Sequence, residues 1–148
     1  MNVLLVGGSG FIGMNLGTEL TERGHDVTVL SRDPYDDGLP EGVDAVRGDV
    51  TDFETIVDAF EGVDAVVYLV ALSPLFQPKG GNDRHFTVHT DGTRNVLQAM
   101  DEHGVDRLVH MSALGADPDG PTAYIRAKGE AEELVEAANT DYTGLSYT

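Results

Sequence analysis

The chain lacks cysteine and tryptophan altogether. Without thiols it has neither disulfides nor thiolate metal ligands, and cysteine usage says nothing about its redox compartment. Long hydrophobic runs are missing too. The longest, Ala65 to Leu72, is far shorter than a bilayer span, and an apolar strand pattern starts right after Met1, with no basic leader or cleavage pattern before it. Together these absences point to a cytoplasmic protein. Positive charge is also scarce: 9 basic residues stand against 26 acidic ones, and Lys79 and Lys128 are the two lysines. A surface of this sign repels nucleic acid and anionic membranes, so neither is expected as a partner.

The acids are spread through every segment, with Asp outnumbering Glu. That spread argues for a general surface adaptation and against an acidic docking face for one basic partner. The composition is similar to that of proteins from halophilic microbes that accumulate salt. In molar salt the Debye length is about 3 Å, which screens the self-repulsion of a formal net charge of -17. The length of 148 residues suits one domain, able to bury about two thirds of the surface that its unfolded chain exposes.

The most informative stretch is Val3 to Gly13, VLLVGGSGFIG. Val3-Leu4-Leu5-Val6 reads as a strand buried on both faces of a parallel sheet. Gly7, Gly10 and Gly13 follow where a helical pattern begins. Gly7 would allow a tight turn, Gly10 would let a pyrophosphate approach the backbone, and Gly13 would let the helix lie close to the strand. The unpaired N–H groups of the helix N-terminus would face the phosphates. The same letters also parse as G-x-G-x-x-G from Gly8, so the register leaves the subtype of dinucleotide fold open.

Strand and helix patterns then alternate to the end of the chain. Helices are expected over Phe11 to Arg23, from a capping-box pattern at Thr51 and Glu54 to near Gly62, from about His85 to His103, and over Pro121 to Asn139. Strands are expected over Asp26 to Ser31, Asp44 to Arg47, Asp64 to Ala71, Arg107 to Ser112, and from Gly144 to Thr148, where the last is cut short. Loops are expected over Arg32 to Gly42 and Leu72 to Asp83. Right-handed crossovers predict an α/β fold of Rossmann type: a doubly wound parallel sheet in order 3-2-1-4-5-6, its last strand incomplete and its crevice between strands one and four.

Tyr124 and Lys128 lie four apart on one expected helix and so share a face. A neighbouring ammonium favours the ionised phenol, which would make Tyr124 a better acid and base near neutrality. Ser112, at the end of the preceding strand, would hydrogen-bond a substrate carbonyl or hydroxyl. His85 and His89 are also four apart, but no H-E-x-x-H pattern or third ligand accompanies them. They read as part of a helix start, and no metal is expected. Asp33, Asp36, Asp37 and Gly38 lack calcium-loop spacing and read as a solvated turn, and Glu130, Glu132, Glu133 and Glu136 as a solvated helix face.

The glycines at 7, 10 and 13, the GDV of Gly48 to Val50, the GTRNVL of Gly92 to Leu97, Ser112 and Tyr124-x-x-x-Lys128 together resemble the short-chain dehydrogenase/reductase superfamily. SALGADPDGPTAYIRAKGEAEE is similar to its extended and atypical branch, which includes NAD-dependent epimerase/dehydratases and the NADPH-binding accessory subunit of respiratory complex I. The resemblance implies an NAD(P)-binding domain over residues 1–148, without the family's C-terminal substrate portion. It implies Gly7, Gly10, Phe11, Ile12 and Gly13 at the pyrophosphate, Asp49 and Val50 beside the adenine, and Val70 and Ala71 on the nicotinamide side. Tyr124 and Lys128 would contact the nicotinamide ribose. Ser31 and Arg32, at the end of strand two, favour NADP, while Asp33 keeps NAD as the alternative. The implied activity is that of an oxidoreductase or sugar-nucleotide epimerase/dehydratase acting on a small molecule. The alternative is a noncatalytic NADP(H)-binding module for redox sensing or assembly. The incomplete sheet edge would suit a homo-oligomer or a complementing partner.

Overall fold

The four apolar residues after Asn2 form the centre of a parallel sheet because they have nowhere wet to point. In the computed structural model, which describes residues 1–34, 38–72, 78–138 and 140–147, β1 (Asn2–Val6) buries Val3, Leu4, Leu5 and Val6. Their side chains alternate between two cores, as the period of a strand requires. Leu4 and Val6 join one with Leu30, Ile56, Phe60, Val66, Tyr68, Val96 and Met100. Val3 and Leu5 join the other with Val27, Val29 and Val67, against Leu16 and Leu20 of the first helix.

Around β1 stand β2 (Asp26–Ser31), β3 (Asp44–Arg47), β4 (Ala65–Tyr68), β5 (Arg107–Ala113) and β6 (Asp141–Tyr147). The order is β3-β2-β1-β4-β5-β6, and every pairing is parallel. This is the doubly wound Rossmann-type arrangement expected from the alternating pattern. The order reverses at β1, so β2 and β4 flank it and their C-terminal ends open a crevice. β6 starts at Asp141, three residues before its expected start, because Asp141 N–H donates to Asp106 O and the strand then pairs along the whole of β5.

The helices are α1 (Phe11–Glu22), α2 (Asp83–His85), α3 (Gly92–His103) and α4 (Ala123–Ala137). A π-helical stretch, Phe86–Asp91, joins α2 to α3 without a break. Such widened turns are frequent at functional sites. α4 starts at the Thr122 cap, whose hydroxyl accepts the N–H of Ile125.

One expected helix is absent. Between β3 and β4 the chain makes two 3-10 turns, Phe53–Thr55 and Val57–Phe60. The Thr51 hydroxyl, expected to cap a helix, donates instead to the Asp49 carboxylate, which also accepts the Thr51 N–H. The Thr55 hydroxyl donates to the carbonyls of Asp49 and Asp52. Local side-chain bonds of this kind compete with helix. Asp36 and Asp37 of the acidic turn, positions 73–77 of the loop after β4, Asn139 and Thr148 lie outside the described residues. Among the described residues no helix is long and apolar enough to cross a membrane.

The passage from β1 into α1 depends on glycine. Gly7 has φ +83, and a Cβ there would come within 2.8 Å of the Val70 backbone nitrogen. A Cβ on Gly13 would overlap the backbone of Gly8, whereas one on Gly10 would meet nothing nearer than Gly7 O at 4.0 Å. Gly13→Ala is therefore expected to cost stability at the overpacking scale of about 1–3 kcal/mol, and Gly10→Ala less than about 1 kcal/mol. Urea unfolding of the two variants would check this; equal losses would contradict it.

Candidate functional site

A cleft of about 930 Å³ opens at the C-terminal ends of β1, β2 and β4, at the upper end of the size range of small-molecule sites. Gly7, Gly10, Ser31, Arg32, Asp49, Val50, Val70 and Ala71 all lie in its wall. Of the other residues expected at a cofactor, Phe11 stands almost fully exposed at the start of α1, Ile12 is half-buried, and Gly13 is buried under Gly8.

The first turn of α1 has no side-chain cap and no acidic residue. Its N–H groups are unspent and its positive dipole end uncompensated, which suits a phosphate. A Cβ on Gly10 would meet only Gly7 O, at 4.0 Å, which leaves the backbone approachable there. At the end of β2 the Ser31 Oγ is buried without a hydrogen-bond partner. Asp33 faces Arg47 of β3, with the guanidinium 3.8 Å from its carboxylate. Burial of Asp49 would raise its carboxyl, but hydrogen bonds from Thr51 and the charges of Arg32 and Arg84 outweigh this and hold it below its ordinary value.

Ser112 lies near the end of β5, Tyr124 and Lys128 stand one turn apart on α4, and none of the three is in the cleft wall. The connection from Ala113 to Thr122 is held against α4. Gly129 leaves room for Asp117 and Pro118, the Asp117 N–H donates to Ile125 O, and Arg126 donates to Gly120 O. Lys128 is buried and donates from Nζ to Met111 O at 3.2 Å. Burial lowers its ammonium to about 8, against a smaller opposing effect of Glu132. The Ser112 Oγ is buried and unpartnered. Burial pushes the Tyr124 hydroxyl up. The lowering by Lys128 expected from their spacing is thus not what this arrangement gives. The phenol's desolvation dominates, and the ammonium is turned to a backbone carbonyl.

The histidines are what sequence reasoning missed. His85 and His89 stack at 5.7 Å, and both meet the Tyr124 ring edge-on, at 5.6 and 5.4 Å. Both are buried, and each has an Nδ1 without a partner. Burial lowers both; His89 falls to about 2, helped by the charges of Lys128, His85 and His110. His89 is therefore neutral at pH 7. The His89 Nε2 lies 3.3 Å from the Leu72 N–H and accepts from it, so its proton sits on Nδ1. His110 stacks on buried Tyr68 and is lowered to about 4 by burial and by Lys128. Their i, i+4 spacing was the available signal, but it pointed to a metal or a helix start, since burial beside a tyrosine is a tertiary fact. No group of three or more metal-ligating side chains occurs among the described residues. The cleft has the room and the uncapped helix start to hold an extended, anionic ligand, and the Tyr124 hydroxyl stands among buried histidines.

Comparison with known proteins agrees with this geometry. Residues 7–148 match the NAD(P)H-binding family. The chain is 35% identical over 157 residues to a 2-alkyl-3-oxoalkanoate reductase of Stenotrophomonas maltophilia, covering 94% of this chain and 47% of the relative. It is 36% identical over 118 residues to a 3-beta-hydroxysteroid dehydrogenase of Mycolicibacterium neoaurum, covering 75% of this chain and 31% of the relative. The chain therefore spans half or less of the length of these two relatives. Among solved structures, the UDP-glucose 4-epimerase of Thermus thermophilus in complex with NAD superposes with a TM-score of 0.82 at 27% identity, covering 99% of this chain and 55% of that one.

The buried lysine gives a test of the site's packing. In the unfolded chain Lys128 has its ordinary value of 10.5, and in the folded chain about 8. Between these values the unfolded chain binds more protons, so this residue makes stability rise with pH through the window. Lys128→Met removes the effect. The wild-type unfolding free energy, taken relative to the variant, is expected to climb from pH 8 upward, by at most about 1.4 kcal/mol per pH unit. Parallel pH curves in chemical denaturation would contradict a buried ammonium.

Proposed function

We propose a function from one premise: this chain belongs to the NAD(P)H-binding family and is built on the short-chain dehydrogenase/reductase pattern, so its cleft is a nicotinamide dinucleotide site, with NADP(H) preferred. The observation that carries this reading is the pairing of an open, uncapped glycine turn with the charge arrangement at the end of β2. There the exposed Arg32 makes no ion pair with another described residue, the Ser31 Oγ has no partner, and the competing carboxylate of Asp33 faces Arg47. A carboxylate at that point would select the ribose hydroxyls of NAD, whereas a free arginine accepts a 2′-phosphate.

Gly7, Gly10 and Gly13 shape the pyrophosphate seat, with Phe11 and Ile12 at its rim. Asp49 and Val50 border the adenine, and Val70 and Ala71 border the nicotinamide. The nicotinamide, when bound, gives or takes a hydride. The chain supplies the rest. Ser112 orients a carbonyl or carbinol oxygen of the substrate, Tyr124 gives or takes the proton at that oxygen, and Lys128 steadies the cofactor ribose and the phenolate. The substrate class consistent with this chemistry is a small molecule bearing a secondary alcohol or ketone, including a sugar.

A second reading has its own support. Ser112, Tyr124 and Lys128 stand outside the wall of the cleft, and the Lys128 ammonium is engaged by Met111 O. A noncatalytic NADP(H)-binding module for redox sensing or assembly fits those facts. Tyr124→Phe separates the two. In the full-length protein it should reduce turnover by about 100-fold or more if the phenol moves the proton, while NADPH binding persists in either case.

Titration by NADPH fluorescence is expected to saturate, with NADH binding more weakly, and Arg32→Ala is expected to bring the two affinities together. No saturable binding of either nucleotide would contradict the proposal. Because of the acidic surface, the titration belongs in both dilute and molar salt.

A further inference from the structure

The cleft carries three of the chain's nine basic side chains, Arg32, Lys79 and Arg84, although the chain as a whole is strongly acidic. Arg32 comes from the β2 side. Arg84 comes from the β4 side, on α2, whose neighbouring residues His85 and Val88 are buried and anchor that turn. Tyr68 holds the same stretch by donating its hydroxyl to Val88 O at 2.9 Å. The Arg84 side chain is half-buried in the cleft wall and makes no hydrogen bond or ion pair with another described residue. Asp49, the residue beside the adenine in the reading above, lines the same cleft as both arginines, and their charges help to hold its carboxyl low. Arg84 therefore addresses the adenosine end of the cleft.

At that end a dinucleotide presents only one group that demands cationic partners. The pyrophosphate is served by backbone N–H groups at the start of α1, and the nicotinamide lies toward Val70 and Ala71. What remains is the 2′-phosphate, a group with up to two negative charges that arginine binds through a planar fork. Arg32 is exposed, and an exposed charge pair by itself is worth little in water. A second arginine on a half-buried turn that His85 and Val88 anchor loses less to solvent. We propose that Arg84 is a specificity-determining residue that closes on the adenosine 2′-phosphate of NADP(H) from the side opposite Arg32, so that discrimination against NAD(H) needs both arginines. This rests on the dinucleotide reading above and extends it to a residue that the β2-end pattern does not include.

The experiment is calorimetric titration of NADPH and NADH into the wild type, Arg32→Ala, Arg84→Ala and Arg84→Gln at one ionic strength, with circular dichroism to establish folding of each. Arg84→Gln keeps the length of the side chain in case Arg84→Ala fails to fold. Loss of Arg84 should weaken NADPH about tenfold or more and change NADH by less than about twofold, as the loss of a charge-assisted bond made by only one of the ligands requires. Arg32→Ala combined with Arg84→Ala, titrated alongside the single variants, should bind both nucleotides alike. An unchanged NADPH-to-NADH ratio in the Arg84 variants would overturn the assignment while leaving the cofactor reading intact. An equal weakening of both nucleotides would do the same, pointing to the pyrophosphate instead. A wild type that binds neither nucleotide would remove the cofactor reading and this inference together.

Discussion

The architecture depends on one close approach: the start of α1 lies so near the turn after β1 that a side chain at Gly13 would overlap the backbone of Gly8. Everything at the cleft follows from that contact. It brings the helix N-terminus to the mouth of the sheet, sets Gly7 against Val70 of the neighbouring strand end, and leaves the backbone at Gly10 approachable. A strand buried on both faces supplies the rigidity, since Leu4, Leu5 and Val6 cannot shift without opening two cores at once. A preorganised set of N–H groups binds an anion without reorganising, so the function proposed is a consequence of packing before it is one of chemistry.

Charge does the second part of the work. Across most of its surface the molecule repels anions, yet the cleft gathers Arg32, Lys79 and Arg84. A phosphate-bearing ligand is thus disfavoured almost everywhere except where it would be used. Behind the cleft the polarity reverses again. His85, His89 and His110 are buried and their protonation is disfavoured, so that His89 and His110 carry no charge at pH 7. Such a wall makes the Tyr124 hydroxyl harder to ionise. On this account its proton is lost easily only once cofactor and substrate change its surroundings.

Much of this was legible in the residues, for reasons that can be named. Val3 to Val6 and Asp64 to Ala71 read as central strands because burial on both faces leaves no polar alternation to confuse them, although the second ends already at Tyr68. The glycine spacing read as a turn because few other sequences tolerate such close backbone contact. Sheet order followed from the handedness of crossovers. The 3-10 turns after β3 did not, because the Asp49 carboxylate takes both the N–H and the hydroxyl of Thr51 and defeats the capping box. Nor did the histidine wall, since helical spacing says which side chains share a face but not what covers them. Arg84 was invisible for the same reason: it lies far along the chain from Arg32 and reaches the same cleft only after β4 pairs with β1 and α2 packs against α4.

The most direct test of the central claim is a two-dimensional amide NMR titration of the chain with NADPH. The largest shifts are expected at the N–H groups of Gly7 to Gly13, saturating together with those of Ser31 and Arg32. Binding that leaves the Gly7 to Gly13 amides unmoved while perturbing another face would contradict it.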